Sequence, residues 1–337
     1  MKLLTKKLWK KIKAWTKFIL AIGCVLVFVV FYVFDVWSPI KRPVNVVVPN
    51  GASVTRMTNY LYKNDIIKSK ELFYFSIRLN GGMIQAGEYD IPRGAGMWTI
   101  ADMLTHGKIA TTTVTIPEGY TVKQIKLMLM NIPYLVGEVD CEEEKPVCDL
   151  HDGDIFPDTY RIARGTSRLA LLELARNKME EVKKSFENAR LPVPLKDWNE
   201  VLTLASIVQK ETPRAKEMPI VASVYLNRLN INMRLQADPT VVYVLTDGLG
   251  DMRGEPLLSG HLKIESPYNT YRNNGLPPAP IANVGIDAIR SVLKPAHTKY
   301  LFFVADGRGG HRFSKDYESH QKNHNKWREI KKKQNEQ

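Results

Sequence analysis

The chain has 337 residues, enough for about two domains, and its 44% hydrophobic and 25% charged content excludes an intrinsically disordered protein. The net charge of +13 is concentrated at the two ends, with seven lysines before residue 18 and a second basic run from Lys322 to Lys333. Because the first cluster directly precedes an apolar segment, membrane topology explains it better than binding to nucleic acid. We therefore expect no nucleic-acid partner.

An uncharged stretch of 17 residues lies between Lys17 and Asp35. This length is the lower limit for crossing a bilayer core, and aromatic residues flank the stretch on both sides. We expect residues 1–17 to be a basic cytoplasmic segment and residues 18–37 to be a transmembrane anchor, with the rest of the chain outside the cytoplasm. The alternative is a cleaved signal peptide, which needs small residues before its cleavage point, and residues 34–37 offer none.

The three cysteines are consistent with this topology. Cys24 lies inside the apolar stretch, whereas Cys141 and Cys148 bracket a short acidic loop, CEEEKPVC. In an oxidising compartment these two could form a disulfide. A zinc site is the weaker alternative, because two cysteines without nearby histidines make an incomplete ligand set.

Residues 38–110 are predicted to form a small α+β domain, in which turn residues and helix caps separate short elements. Two turn-and-helix units in this region resemble the LysM-type modules that hold cell-wall glycan, and a packing or spacer domain is the alternative. The expected elements are a strand at 45–48, helices at 53–62 and 70–79, a strand at 86–91 and a helix at 98–105.

Residues 111–330 are predicted to form a larger α+β domain, followed by a basic tail at 331–337. Ser314 is expected to cap a C-terminal helix that carries His320 and His324 four residues apart. No third ligand has suitable spacing, so we expect no metal site. The other expected elements are a strand at 111–116, helices at 121–130, 167–189, 201–212 and 218–229, a helix starting at Asp238, and a hairpin at 300–313.

The stretch VLTLASIVQKET, residues 201–212, is the first candidate for chemistry. Its apolar residues recur at helical spacing, and Glu211 lies on the same face as Leu204 and Ile207. Pro213 disfavours helical geometry at the residue before it, which places Glu211 at the C-terminal end of the helix. Burial and the negative end of the helix dipole would both raise its pKa, as a general acid requires. An ordinary surface ion pair with a neighbouring cation, Lys210 or Arg214, is the alternative.

Residues 266–285 form a second candidate region, a 20-residue stretch with four prolines and two glycines. A long irregular loop in a compact domain is usually functional. Asp238 precedes a proline, which is typical of a helix N-cap followed by proline at the first helical position.

Several stretches together resemble the endolytic murein transglycosylase family, also called the YceG-like family. They follow the family's order and spacing over most of residues 45–325. One departure is Gln209, where family members often have a glutamate, so that Glu211 is the one carboxylate left in its motif. A second is Ala279, at a position that is commonly glycine. The matching stretches are FPDTY at 156–160, LASIVQKET at 204–212, VASVYLNRL at 221–229, MRLQADPTVVY at 233–243, SPYNTYRNNGLPPAPI at 266–281 and KYLFFVADGRGGHRFS at 299–314.

The resemblance implies a single-pass inner-membrane enzyme with a periplasmic catalytic domain that cleaves peptidoglycan glycan strands, limits the length of nascent strands and needs no cofactor. Glu211 falls on the family's catalytic glutamate, which would protonate the glycosidic oxygen and then take a proton from the muramic acid C6 hydroxyl, leaving a 1,6-anhydro end. Peptidoglycan synthases are the candidate protein partners. The substrate-binding residues we expect are Tyr268, Asn269, Thr270, Tyr271, Gln236, Arg234 and Asp238.

Each of these binding residues has a structural alternative, since aromatic side chains also pack in cores. Tyr268 and Tyr271 are expected to stack on sugar faces, and Arg234 to face lactyl or peptide carboxylates. Two other functions remain open from the sequence. A muramidase that uses water would need a second carboxylate opposite Glu211, with Asp238 or Glu217 as candidates. A non-catalytic wall-binding scaffold would have Glu211 buried away from any cleft.

Overall fold

The structure, a computed structural model, describes residues 15–26, 28–29, 32, 34, 38–139, 146–250, 252 and 255–335. These residues divide into two compact units. The smaller unit contains the residues before Thr113 together with Ala163–Gly165, and the larger unit contains Thr113–Ile162 and the residues from Thr166 onward. The chain has the mixed α+β character that the sequence predicts.

Residues 15–26, which include the end of the predicted basic segment and the start of the predicted anchor, are helical. Within the described ranges, none of the helices combines the length and the apolar character needed to span a membrane. The first 14 residues, several positions of the predicted anchor, Cys141 and the last two residues of the basic tail lie outside the described residues. Cys148 is disulfide-bonded and Cys24 is a free thiol, and the Cys141–Cys148 pairing stays a prediction.

The smaller unit has the predicted order of strand, helix, helix, strand and helix. Its two strands pair antiparallel, with Val44 opposite Ile91 and Val48 opposite Gly87. Ser53 and Ser69 cap the two helices through their side chains, as expected. The LysM-like character of the unit stays a prediction. Its elements are β1 (Val44–Val48), α1 (Val54–Lys63), α2 (Lys70–Leu79), β2 (Gly87–Ile91) and α3 (Met97–Thr105).

The larger unit is mainly helical, with two small two-stranded sheets, β3 with β4 and β5 with β6. Strand β4, which begins within the FPDTY stretch, was not predicted, although Tyr160 and Ile162 alternate with more exposed residues. The elements are β3 (Thr111–Thr115), α4 (Val122–Met130), β4 (Thr159–Ala163), α5 (Arg168–Ser185), α6 (Trp198–Glu211), α7 (Met218–Asn230), α8 (Asp238–Leu245), a 3₁₀ turn (His261–Lys263), α9 (Ile286–Leu293), β5 (Phe302–Ala305), β6 (His311–Ser314) and α10 (Tyr317–Asn335).

Helix α6 is the centre of the larger unit's core. All eight residues from Val201 to Val208 are buried, and the helix packs against α7 and α9. Removal of this apolar surface from water stabilises the helix more than its intrinsic helix propensity does. A buried helix of this kind places its last residue at a fixed position.

Two predicted helix starts differ from the structure. Helix α6 begins at Trp198 rather than Val201, because Asp197 accepts a hydrogen bond from the backbone N–H of Glu200 and caps the helix. Ser314 does not cap α10, because it is the last residue of β6, and the carboxylate of Asp316 accepts the N–H of Ser319 instead.

Candidate active site

Glu211 is the last residue of α6, as the sequence predicts. The next residue, Thr212, has an extended backbone with φ −144° and ψ 132°, so the chain leaves the helix immediately before Pro213. The glutamate side chain is mostly buried. The buried helix therefore presents one carboxyl group at its C-terminal end.

The carboxyl group of Glu211 is held by Tyr225 of α7. The phenol donates to Oε1 over 2.6 Å, and the tyrosine is 1% exposed. The pKa of Glu211 is raised to about 7, mainly by burial and also by the charge of Asp238, while the hydrogen bond from Tyr225 and the charge of Arg228 act in the opposite direction. Burial also raises the pKa of Tyr225 well above its usual range, so that it remains a donor. Glu211 can therefore exchange its proton in the neutral pH range.

The two cations considered as ion-pair partners have other contacts. Lys210 donates to the carbonyl oxygen of Gly119 over 3.2 Å. Arg214 donates to the carbonyl oxygen of Arg308 over 2.7 Å and lies 3.5 Å from the carboxylate of Glu217. The carboxyl group of Glu211 is therefore bonded to Tyr225 and does not form a surface ion pair with either cation.

Arg228, three residues after Tyr225 on α7, was not singled out from the sequence. It is 7% exposed and donates to two carbonyl oxygens over 2.6 Å, those of Leu301 and Leu235. Its buried charge lies near enough to Glu211 to favour the ionised carboxylate. Tyr225 and Arg228 are three residues apart and therefore lie on the same face of α7, and this spacing is the signal that could have identified them. The sequence does not show which face of α7 is turned toward Glu211.

Asp238 is not the N-cap that the sequence predicts. Ala237 occupies the cap position, and Asp238 is the first residue of α8, where its charge is favourable at the helix N-terminus. Its Oδ1 accepts a hydrogen bond from Tyr271 over 2.5 Å, and burial raises the pKa of Tyr271, with a further contribution from this bond. Two hydrogen-bonded pairs, Glu211 with Tyr225 and Asp238 with Tyr271, therefore form one polar cluster, because the charge of Asp238 acts on Glu211.

Asn269 and Thr270, which were predicted to bind sugars, have buried side chains that are bonded inside the protein, and their contact with a sugar stays a prediction. Asn269 donates to the carbonyl oxygens of Leu262 and Ile264 over 3.0 and 2.8 Å. Thr270 Oγ1 accepts the N–H of Ala237 over 2.9 Å. Both residues hold the long loop in shape and connect it to the segment that leads into α8.

The remaining predicted binding residues lie on the same loop and on the segment before α8. Tyr268 is partly exposed, and its ring centroid lies 5.2 Å from that of Tyr243. Arg234 is exposed and donates to Tyr271 O over 3.2 Å and to Asn274 over 3.3 Å. Gln236 is exposed with φ +46°, and its N–H donates to Thr270 O. Tyr268, Arg234 and Gln236 are accessible to a ligand.

Gln209, the departure from the family pattern, has a structural contact. Its Oε1 accepts the N–H of Gly285 over 3.2 Å. Gly285 caps α9, and a Cβ there would lie 1.8 Å from a carboxylate oxygen of Glu118. The amide of Gln209 and the carboxylate of Glu118 therefore both lie close to the start of α9.

Glu217, the other candidate for a second carboxylate, lies in a separate group. Its Oε2 is 2.9 Å from Nδ1 of His311, and its other oxygen faces Arg214. The carboxylate is mostly buried between these two partners, with 17% of its side chain exposed. Of the two candidates, Asp238 is therefore the carboxylate whose charge raises the pKa of Glu211.

A partly protonated carboxyl group at a helix end, beside an accessible loop of tyrosine and arginine side chains, is the arrangement of a general acid–base site. Comparison with known proteins identifies its family. The YceG-like family matches residues 46–326, and the chain belongs to that family.

Three relatives accompany this match. A protein of Bacillus subtilis strain 168 named endolytic murein transglycosylase is 30% identical over 312 residues, with 84% of each chain covered. A protein of the same name from Streptococcus pneumoniae D39 is 27% identical, and the match covers 87% of this chain and 60% of that protein. A crystallised YceG-like protein of Listeria monocytogenes is 28% identical, with 84% of this chain and 99% of that chain covered and a TM-score of 0.49.

Proposed function

We propose that this protein is an endolytic murein transglycosylase, a lyase that cleaves the MurNAc–GlcNAc bond within peptidoglycan strands. The observation that carries the proposal is the carboxyl group of Glu211, whose pKa of about 7 lets one residue act as acid and then as base at neutral pH. Membership of the YceG-like family and the names of the relatives support the same reaction.

In the first half-reaction, neutral Glu211 donates its proton to the glycosidic oxygen. Because Oε1 accepts the hydrogen bond from Tyr225, the transferable proton resides on Oε2. In the second half-reaction, the Glu211 carboxylate removes the proton from the C6 hydroxyl of the muramic acid unit, whose oxygen attacks C1. The product carries a 1,6-anhydro end. The substrate supplies the nucleophile, so the protein contributes proton transfer and positioning.

A muramidase that uses water is the second candidate, and the placement of Asp238 is the observation that favours it. Its charge acts on Glu211, so a second carboxylate is close to the proposed acid. Two carboxylates are the usual requirement of glycoside hydrolysis. However, Asp238 accepts a hydrogen bond from Tyr271, which supports a role in holding the loop.

The experiment is digestion of defined glycan strands, with mass spectrometry of the products, by the wild type and by Glu211→Gln. We expect products with anhydro ends, lighter by one water than hydrolytic products, and a loss of about 10²–10⁴-fold in rate for the variant. Glu187→Gln, at an exposed position of the same residue type, is the control and should keep full activity. Reducing-end muramic acid would identify the muramidase instead, and undiminished activity of Glu211→Gln would remove the residue from both mechanisms.

We further propose that the protein is anchored in the cell inner membrane by residues 18–37, with its catalytic unit in the periplasm. The support is the placement of seven lysines before an uncharged stretch of 17 residues. In this position the enzyme would meet strands as they are made. Limiting the length of nascent strands, and association with peptidoglycan synthases, belong to this proposal.

A further inference from the structure

A cavity of about 630 Å³ in the larger unit has no assigned role. Its lining includes Asp152, Tyr243 and Tyr268, together with residues at the start of α4. The size is within the range of small-molecule sites. Of these residues, only Tyr268 belongs to the predicted binding set.

The polar floor of this cavity is the carboxylate of Asp152. Its Oδ1 accepts the N–H of Val122, the first residue of α4, over 2.6 Å, and its Oδ2 accepts the phenol of Tyr243 over 2.8 Å. A carboxylate has about four lone-pair sites, so these two bonds leave acceptor capacity on both oxygens. The side chain of Asp152 is partly buried, and this burial raises its pKa.

The aromatic wall of the cavity is the pair formed by Tyr243 and Tyr268, with ring planes inclined at 41°. Aromatic faces next to a hydrogen-bond acceptor suit a sugar ring, which has C–H faces and equatorial hydroxyls. The nearby charge of Lys123 is compensated, because its ammonium is 2.5 Å from the carboxylate of Asp247. Lys126 and His151 also line the cavity, but the carboxylate of Asp152 that an occupant would meet favours a neutral sugar over an anionic group.

Two elements connect the cavity to Glu211. Helix α8 has Asp238 at its first residue and Tyr243 five residues later, a rise of about 7.5 Å along the helix. The long loop runs beside it, with Tyr271 bonded to Asp238 at one end and Tyr268 against Tyr243 at the other. The cavity therefore lies at the other end of α8 and of the long loop from Asp238, whose charge acts on Glu211.

We propose that Asp152, Tyr243 and Tyr268 form a distal subsite that binds a neutral sugar unit of the glycan strand, away from the bond that is cleaved. This inference rests on the proposed function, because it assigns the strand as the ligand. Asp152 accepts hydrogen bonds from sugar hydroxyl or N-acetyl N–H groups, and the two tyrosines contact the ring faces. The site makes long strands better substrates than short ones.

The test compares Asp152→Asn and Tyr243→Leu with the wild type on a tetrasaccharide and on strands several disaccharides longer. Asparagine keeps an oxygen for the N–H of Val122 but loses the charge that strengthens hydrogen bonds from the sugar. We expect KM on long strands to rise about tenfold, the equivalent of one charge-assisted hydrogen bond, with kcat unchanged and the tetrasaccharide unaffected. The controls are Asp287→Asn and Tyr317→Leu, at exposed positions outside the cavity.

A parallel measurement keeps binding separate from chemistry. In a Glu211→Gln background, calorimetry with long strands should give a Kd about tenfold weaker when Asp152→Asn is added. Equal losses on short and long substrates would assign Asp152 a structural role, and unchanged KM and Kd in both cavity variants would overturn the subsite. If the products lack anhydro ends but binding still depends on Asp152, the proposed reaction fails while the subsite stands.

Discussion

At the scale of single residues, Glu211 is subject to opposing effects that together set its pKa near 7. Burial and the charge of Asp238 favour the neutral carboxyl group, whereas the phenol of Tyr225 and the charge of Arg228 favour the carboxylate. A glutamate with only the first pair of effects would hold its proton too firmly to act as a base. One with only the second would be ionised and could not act as an acid.

Replacing Tyr225 by phenylalanine should raise the pKa of Glu211, because it removes the hydrogen bond that favours the carboxylate. The acid form is required first, so activity falls as pH rises through this pKa. We expect the alkaline limb of kcat/KM in Tyr225→Phe to move upward by about one pH unit. Tyr89→Phe, which removes a buried phenol in the smaller unit, is the control and should leave the limb in place. A limb that stays fixed or moves to lower pH in Tyr225→Phe would contradict the assignment.

The raised pKa also predicts a pH-dependent contribution to stability. Between the ordinary value of 4.5 and about 7 the folded state holds a proton that the unfolded state has lost, so the free energy of unfolding decreases as pH rises. Glutamine does not titrate, and Glu211→Gln should therefore gain about 2–3 kcal/mol relative to the wild type between pH 5 and pH 8. Urea unfolding of both proteins at the two pH values measures this difference. A constant difference would show that Glu211 has no raised pKa.

At the scale of elements, the site depends on side chains that join loops to helices. Asn283 is fully buried, and its Oδ1 accepts the N–H groups of Gly153 and Ile155, both over 3.0 Å. Its Nδ2 donates to the carbonyl oxygen of Tyr120 over 3.0 Å. One amide thus connects three segments, in the same way that Asn269 holds the long loop. These segments have little regular structure, so such bonds replace the strand and helix ladders.

Asn283→Ala should lower the free energy of unfolding by about 2–4 kcal/mol, because it leaves two buried N–H groups without an acceptor. Asn274→Ala, at an exposed position with longer hydrogen bonds, should change it by less than about 0.5 kcal/mol. Chemical denaturation of the two variants provides the comparison. Equal effects would mean that solvent replaces the bonds of Asn283.

At the scale of the whole molecule, the chain combines a small α+β unit with a larger unit that contains the complete polar cluster. The residues of this cluster all belong to the larger unit, and they are Glu211, Tyr225, Asp238 and Tyr271. The smaller unit has its own apolar core, which includes Leu61, Phe73 and Tyr89. The proposed chemistry is therefore a property of the larger unit.

The proposed anchor makes a prediction for the whole chain. A reporter that is active only outside the cytoplasm, fused to the C-terminus, should be active, because the lysines before residue 18 keep the N-terminus inside. The matched control replaces those seven lysines by glutamine, which removes the asymmetry of positive charge and should reduce reporter activity. Recovery of a shorter chain that starts near residue 38 would contradict an uncleaved anchor.

The sequence by itself determined the features that depend on neighbouring residues. The apolar spacing and Pro213 located Glu211 at the end of a helix, serine caps marked the starts of α1 and α2, and family motifs indicated the reaction. The tertiary structure alone decided the features that depend on distant partners. It placed Tyr225 and Arg228 beside Glu211, buried Asn269, and used Asp238 as an acceptor for Tyr271 rather than as a cap. The physical reason is that helix periodicity and capping act within about four residues, whereas burial and hydrogen-bond partners depend on which elements pack together.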